Sequence, residues 1–140
     1  MARIKLILPD HFPFFTRIAV RITDVNYGNH LGNDALLSLI HEARMQYLQS
    51  HGYTEMNVAG VGLIMSDAAI EFKSEAFYGD LLTIYVNAAE FSRVGFELYY
   101  KLVKEKDETI VALAKTGMVC FDYNARKITA VPEEAKEKLS

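Results

Sequence analysis

The side chains best suited to chemistry are concentrated in one run, Arg21-Ile-Thr-Asp24-Val-Asn26-Tyr27-Gly-Asn29-His30-Leu-Gly-Asn33-Asp34. Gly and Asn tolerate positive φ angles, so such a run can bring the backbone close to a ligand. The run precedes a segment of helical periodicity, and Asn33 and Asp34 are residue types that cap helix N-termini. The first N–H groups of that helix, with the positive end of its dipole, would face back into the run. Such an arrangement would polarise a carbonyl group.

The periodicity predicts a helix from Asp34 to about Ser50. Its apolar positions are Leu36, Ile40, Ala43 and Tyr47 at the 3.6-residue period, widened by Leu37, Leu39 and Leu48. A stripe this wide indicates a helix buried on much of its circumference, as in a fold where a sheet wraps around it. Gly52 is placed to end the helix.

Apolar runs predict one strand before this helix and four after it, and the last run is apolar on both faces, as in a central strand. The first is Thr16–Ile22, with Ile18, Val20 and Ile22 on one face. The later strands are Gly62–Phe72, with Ile64, Ala68, Ile70 and Phe72 on one face, then Leu81–Phe91, Phe96–Lys104 and Ile110–Phe121. Polar turns at 92–95 and 105–108 join the last three strands as antiparallel hairpins. With a short terminal helix, Glu133–Leu139, these elements define a single α+β domain over residues 1–140.

The composition argues against several functional classes. The net charge of −3 disfavours a broad nucleic-acid-binding surface. No apolar stretch approaches the roughly 20 residues of a membrane span, and the N-terminal apolar run is too short for a secretory signal. The lone Cys120 favours a reducing, cytoplasmic setting. No metal-ligand spacing, nucleophile elbow or phosphate-binding glycine motif is present, so no resident cofactor is expected.

The chain resembles the hotdog superfamily, in the branch of 4-hydroxybenzoyl-CoA thioesterase and related acyl-CoA thioesterases. That branch carries Arg-x-x-Asp-x-Asp-x-x-Gly-His-x-x-Asn, and Arg21, Asp24, His30 and Asn33 match it without a gap. Further matches are Glu42-Ala43-Arg44, Tyr78-Gly79-Asp80 and Val131-Pro132-Glu133-Glu134. The resemblance implies an antiparallel sheet wrapped around a helix, edge-to-edge dimers or tetramers, and active sites at the subunit boundary. It also implies hydrolysis of an acyl-CoA or acyl-carrier-protein thioester, with coenzyme A present only as part of the substrate.

Two residues of the chain differ from the sequence pattern of that branch. Asn26 stands where well-studied members have an aspartate that acts as nucleophile or general base, and Asn29 replaces the glycine before the histidine. An amide cannot act as a base in the way a carboxylate does. Two interpretations stay open: another carboxylate activates water, or the chain is a non-catalytic protein that binds acyl thioesters.

The candidates for activating water are Glu42, Asp24 and His30. Glu42 lies roughly two turns into the helix, where another hotdog branch places its catalytic acid. Each candidate also has a structural interpretation, since Glu42 could pair with Arg44 or Arg21. Asp24 and His30 could instead brace the loop.

The remaining candidates would bind the substrate. Asn26, Asn33 and the helix start would hold the thioester carbonyl, with Tyr27 and Asp34 beside them. Asp67 could enter a neighbouring subunit's site or lie exposed to solvent. Arg93 and Lys73 could pair with the phosphates of coenzyme A, although isolated surface cations are usually just solvated.

Overall fold

The computed structural model describes residues 3–140, in which one antiparallel sheet packs against one long helix. Its elements are β1 (Phe14–Ala19), α1 (Asn33–Ser50), β2 (Gly62–Phe72), β3 (Leu81–Ala89), β4 (Gly95–Lys104), β5 (Ile110–Asp122), β6 (Lys127–Ile128) and α2 (Glu133–Leu139). The strand order is β1-β3-β4-β5-β2, with β6 paired to β5. The α+β hotdog architecture is therefore confirmed, and β1 and β2 form the two edges of this path.

Helix α1 begins one residue earlier than predicted, and its N-cap is a glycine. Asn33 is already helical, so the expectation that Asn33 or Asp34 caps the helix was wrong. Gly32 occupies the cap position in extended conformation. At the other end, Gly52 adopts φ 81° and its N–H donates to the carbonyl of Gln49 at 2.9 Å. The predicted helix stop is thus confirmed, because only glycine takes up that conformation without strain.

The core lies between α1 and the inner face of the sheet. Six apolar residues of α1 are buried: Leu36, Leu39, Ile40, Ala43, Tyr47 and Leu48. Burying a large apolar side chain contributes about 1.5–3 kcal/mol, so this face anchors the helix against the strands. Leu37 is the exception within the predicted stripe, since it remains 41% exposed.

The first strand ends earlier than the alternation predicts. β1 stops at Ala19, and Ile22 starts a short 3-10 turn, where it is 69% exposed instead of facing the core. The cause is Asp24, whose carboxylate accepts a hydrogen bond from the backbone N–H of Arg21 at 2.8 Å. This local bond competes with strand geometry, as short polar side chains commonly do.

A bulge changes which side chains of β2 face the helix. The register between β2 and β5 shifts between Met65 and Asp67, which inserts Ser66 as an extra residue. Leu63 is therefore buried, whereas Ile64 is 37% exposed, so placing Ile64 on one face with Ala68 and Ile70 was wrong. The predicted bounds of β2 were correct. The bulge was not predicted, because the alternation of apolar residues does not reveal where an extra residue is inserted. No helix in the described range 3–140 has the length and apolar character needed to cross a membrane.

Candidate active site

The loop before α1 is built by backbone hydrogen bonds. The N–H of Asn26 donates to the carbonyl of His30 at 2.9 Å, and the N–H of Gly32 donates to the carbonyl of Asp24 at 3.0 Å. Between them, Asn29 turns the chain with φ 67°. Asparagine is one of the few residues besides glycine that tolerates this left-handed conformation. The Asn29 departure from the hotdog pattern therefore preserves the turn.

The N-terminal end of α1 has no side-chain cap. The N–H groups of Asn33, Asp34 and Ala35 precede the first helical hydrogen bond, which Leu36 donates to the carbonyl of Gly32 at 3.0 Å. Gly32 has no side chain to satisfy them, and no other side chain of the described residues caps this end. Three donors and the positive end of the helix dipole are thus available to an external acceptor.

A cavity of about 280 Å³ opens at this uncapped end, and we call it the helix-end cavity. One wall is the helix start, with Gly32, Asn33 and Leu36. The other wall is the end of β2 and the segment after it, residues 72–76, together with Val111. The cavity therefore combines apolar surface with the donors of the helix end, as small-molecule sites do.

Three predicted site residues meet in the helix-end cavity. His30, Asn33 and Lys73 all line it. The Nδ1 atom of His30 lies 3.3 Å from the carbonyl oxygen of Leu31, so the ring is held against its own loop. The ammonium of Lys73 lies 2.7 Å from a carboxylate oxygen of Glu71. The structure thus places an imidazole, an amide and a cation around the same space.

Other loop candidates lie outside this cavity. The side-chain oxygen of Asn26 accepts a hydrogen bond from the N–H of Gly28 at 2.8 Å, which forms a local turn. Tyr27 is fully exposed. Asp24 is 4% exposed, and its carboxylate is held by the backbone and guanidinium of Arg21. In this geometry Asp24 braces the loop.

The candidates from the rest of the chain are also elsewhere. Glu42 lies in a separate groove between α1 and β1, where its carboxylate accepts a hydrogen bond from Gln46 at 2.7 Å. The carboxylate of Asp67 lies over Gly117 and is bonded by Ser66. Arg93, in the turn between β3 and β4, is exposed and does not line the helix-end cavity. Asp34 is exposed in the first turn of α1.

The pairing of Glu42 with Arg44 or Arg21 was wrong, because Arg44 pairs with Glu55 and Arg21 with Asp24. Arg44, which is 6% exposed, donates from Nε to the carboxylate of Glu55 at 2.8 Å. The same carboxylate lies 2.7 Å from the Nε2 atom of His41. Burial alone would raise the pKa of Glu55, but the hydrogen bonds from Arg44 and His41 outweigh burial, so its pKa is lowered. Arg44 and His41 share a helix flank in the sequence, but Glu55 joins them only after the Gly52 turn.

Glu75 is the other residue that sequence reasoning missed. Its side chain is exposed and lines the helix-end cavity. It follows β2 in a segment with no recognisable motif of its own. Only the tertiary contact between that segment and the loop before α1 brings it to the helix end, so no local signal marks it.

An antiparallel sheet packed against one long helix is the architecture that the hotdog resemblance implies for this chain. The chain belongs to the thioesterase-like superfamily, whose family model matches residues 20–139. It is 35% identical over 107 residues to a 1,4-dihydroxy-2-naphthoyl-CoA hydrolase of Microcystis aeruginosa, covering 74% of this chain and 76% of that one. Both fold and sequence are therefore those of a thioester hydrolase.

Solved structures agree with the fold. A protein of Aquifex aeolicus is 28% identical, with a TM-score of 0.82 over 91% of this chain and 100% of that one. A 1,4-dihydroxy-2-naphthoyl-CoA thioesterase from Synechocystis also gives a TM-score of 0.82, over 90% of this chain and 94% of that one. Its identity is 22%, so this likeness concerns the fold.

Proposed function

We propose that this chain hydrolyses an acyl-CoA thioester in the helix-end cavity, releasing a free acid and coenzyme A. The observation that carries the proposal is that the uncapped start of α1, at Gly32 and Asn33, lines that cavity. A thioester carbonyl placed there would accept hydrogen bonds that strengthen as its oxygen gains negative charge. One such donor is worth about 3–4 kcal/mol of transition-state stabilisation.

The side chains of the cavity support binding of this substrate. Asn33 stands at the helix start, where its amide can help to hold the carbonyl. Lys73 is the cation among the lining residues and can pair with a phosphate of coenzyme A, although it must then leave Glu71. Coenzyme A would be part of the substrate and no separate cofactor would be needed.

The acyl group that we propose to test first is aromatic. The Microcystis aeruginosa relative is named as a hydrolase of a naphthoyl-CoA. In this chain, Leu36, Phe72 and Val111 supply apolar surface to the helix-end cavity. A flat aromatic acyl group suits a small cavity of this kind better than a long flexible chain, and it loses less conformational entropy on binding.

We further propose that two copies pair antiparallel along β2, in the cytoplasm. β2 is an edge strand of 11 residues, and the exposed fractions of Met65 and Phe72 are 48% and 56%. A long apolar edge is an unfavourable surface for a monomer. Antiparallel pairing would bring the Phe72 end of one strand, which lines the helix-end cavity, against the Gly62 end of the partner strand. The partner would then help to close the site.

The test is a thiol-release assay with aromatic, short-chain and long-chain acyl-CoA substrates, and with an acyl-carrier-protein thioester for comparison. Saturable turnover of an acyl-CoA is the expected result. The alternative is a non-catalytic protein that binds acyl thioesters. Saturable binding of several acyl-CoAs by calorimetry, with no thiol released from any of them, would favour that alternative and contradict the proposal.

A further inference from the structure

We propose that Glu75 is the general base that activates water in the helix-end cavity, an inference that rests on the thioester hydrolysis proposed above. Hydrolysis needs a base, and Asn26 cannot supply one at the usual position of the hotdog branch. Glu75 lines the same cavity as the uncapped helix end. It is therefore a carboxylate that shares a cavity with the start of α1, where the carbonyl would be held.

Hydrogen bonds fix the backbone on both sides of Glu75. The hydroxyl of Ser74 donates to the carbonyl of Ile110 at 2.7 Å. The carbonyl of Ala76 accepts the N–H of Leu31, also at 2.7 Å. Because Leu31 lies two residues before the start of α1, this second bond ties the position of Glu75 to that of the helix end. A base must be held within reach of its proton in this way.

The carboxylate of Glu75 is also free to act. Among residues 3–140 it forms no ion pair and accepts no hydrogen bond, whereas the carboxylates of Glu71, Asp80 and Asp24 have partners. Glu71 is bonded by Lys73, which lowers the pKa of Glu71 and makes it a weaker base. Asp80 accepts the N–H of Phe77 at 2.9 Å. Asp24, as described above, is held by its arginine partner.

The proposed hydrolysis needs only water, the thioester, Glu75 and the N–H groups at the start of α1. Glu75 takes a proton from water while the water oxygen forms a bond to the thioester carbon, and the carbonyl electrons move to the oxygen held by the helix N–H groups. The tetrahedral intermediate then re-forms the carbonyl and breaks the carbon–sulfur bond. The departing thiolate receives the proton from Glu75, which restores the carboxylate. No oxidant, reductant or metal enters this sequence of steps.

The experiment compares Glu75→Gln and Glu75→Ala with wild-type protein on the acyl-CoA that is turned over best. Glu75→Gln should lower kcat by about 10²–10⁴-fold, the range for loss of a general base, with little change in KM. Formate should restore part of the activity of Glu75→Ala and none in Glu75→Gln. Glu137→Gln is the matched control, since it removes an exposed carboxylate of α2 at a distance from the cavity. Thermal unfolding should show the same Tm for all variants, because Glu75 is exposed.

The outcomes separate the two proposals. If wild-type protein hydrolyses acyl-CoA and Glu75→Gln keeps kcat within about threefold, the assignment of Glu75 is overturned and the proposed function stands. If wild-type protein binds acyl-CoA and releases no thiol, the proposed function fails and the assignment fails with it. A large loss of kcat with formate rescue supports both.

Discussion

The backbone N–H of Leu31 donates to the carbonyl of Ala76 at 2.7 Å, and this bond joins the loop before α1 to the segment between β2 and β3. A second contact, the isolated β-bridge between His30 and Phe77, runs beside it. These contacts form the helix-end cavity by placing the N-terminus of α1 opposite residues 72–76. The site is thus assembled by a contact between two residues that are 45 positions apart in the sequence.

A cap placed on α1 should stabilise the protein and impair catalysis. Gly32 already has the φ of −76° and ψ of 154° of an N-cap residue, so serine can occupy the position. Its hydroxyl would accept a hydrogen bond from the free helix N–H groups and compete with the substrate carbonyl. We expect Gly32→Ser to lower kcat/KM by at least about tenfold, from loss of part of one donor's contribution.

Gly32→Ala is the matched control for that prediction. Both variants add a Cβ that displaces the side chain of Asp34, but only serine can cap. Urea denaturation should show Gly32→Ser to be more stable than Gly32→Ala by about 1 kcal/mol, while its activity is the lower of the two. A serine variant that gains this stability and keeps the activity of the alanine variant would contradict the role of the helix N–H groups.

We expect the side chain of Asn26 to stabilise the loop before α1 and to take no part in catalysis. The side-chain oxygen of Asn26 accepts the N–H of Gly28, and an aspartate could accept the same bond. Asn26→Asp should therefore leave kcat within about threefold, whereas Asn26→Ala should cost about 1 kcal/mol of stability through loss of the turn. Steady-state kinetics and thermal unfolding measure the two effects. A kcat that rises tenfold or more in Asn26→Asp would indicate that this position is still the place for the base.

The buried arginine of α1 makes stability depend on Glu55. Glu55→Gln would leave the guanidinium of Arg44 without its charged partner. We expect this change to lower the free energy of unfolding by roughly 2–3 kcal/mol. The loss is smaller than for a fully buried pair because the side chain of Glu55 is partly exposed. The pKa of Glu55 is lower in the folded state than its unfolded value near 4.5. Ionised Glu55 therefore stabilises the fold at pH values above 4.5, and this stabilisation is lost as the pH falls through the folded-state pKa.

Urea unfolding of Glu55→Gln and wild-type protein at several pH values tests this pH dependence of stability. The difference in unfolding free energy should be largest near neutral pH and should shrink below about pH 4.5. Glu137→Gln should show no such difference at any pH. A constant gap between wild type and Glu55→Gln across the series would mean that the ion pair does not carry the stability.

A charge in the middle of β2 should separate the proposed dimer. Ala68 is exposed on this edge strand, so glutamate can be accommodated in a single chain. In an antiparallel pair the two glutamates would lie near each other, and like charges across strands repel. Light scattering should show Ala68→Glu to be monomeric at concentrations where wild-type protein is dimeric, with a matching loss of activity. Ala125→Glu, which places the same charge in an exposed turn, should change neither dimerisation nor activity. If Ala68→Glu dimerises as well as wild-type protein, β2 is not the dimer interface.

The sequence was sufficient for features controlled by local chemistry. The end of α1 followed from Gly52 and the bounds of β2 from apolar alternation. The predicted bounds of β4 and β5 were correct to within one residue, whereas β3 ends at Ala89, two residues before the predicted end. The early end of β1 did not, because the bond between Asp24 and Arg21 competes with strand formation only once the side chains are placed. The bulge at Ser66 likewise depends on pairing with β5.

For the candidate site, the sequence pointed to the loop, the helix end and Lys73, but it gave no signal for the rest of the opposite wall. His30 and Asn33 lie in a run rich in polar residues, so their position beside the helix could be anticipated. Glu75 could not be found in this way, since its approach to the helix end depends on the bond between Leu31 and Ala76. The sequence instead pointed to Glu42, whose orientation toward β1 is set by the packing of α1.

A crystal structure with an acyl-CoA analogue in which a methylene group replaces the thioester sulfur would show directly whether the start of α1 binds the carbonyl. Such a ketone keeps the carbonyl and cannot be hydrolysed. We expect the ketone oxygen at about 2.7–3.1 Å from a backbone nitrogen at the start of α1, in the helix-end cavity. A carbonyl bound elsewhere, with the N–H groups of Asn33 and Asp34 still unoccupied, would contradict this expectation.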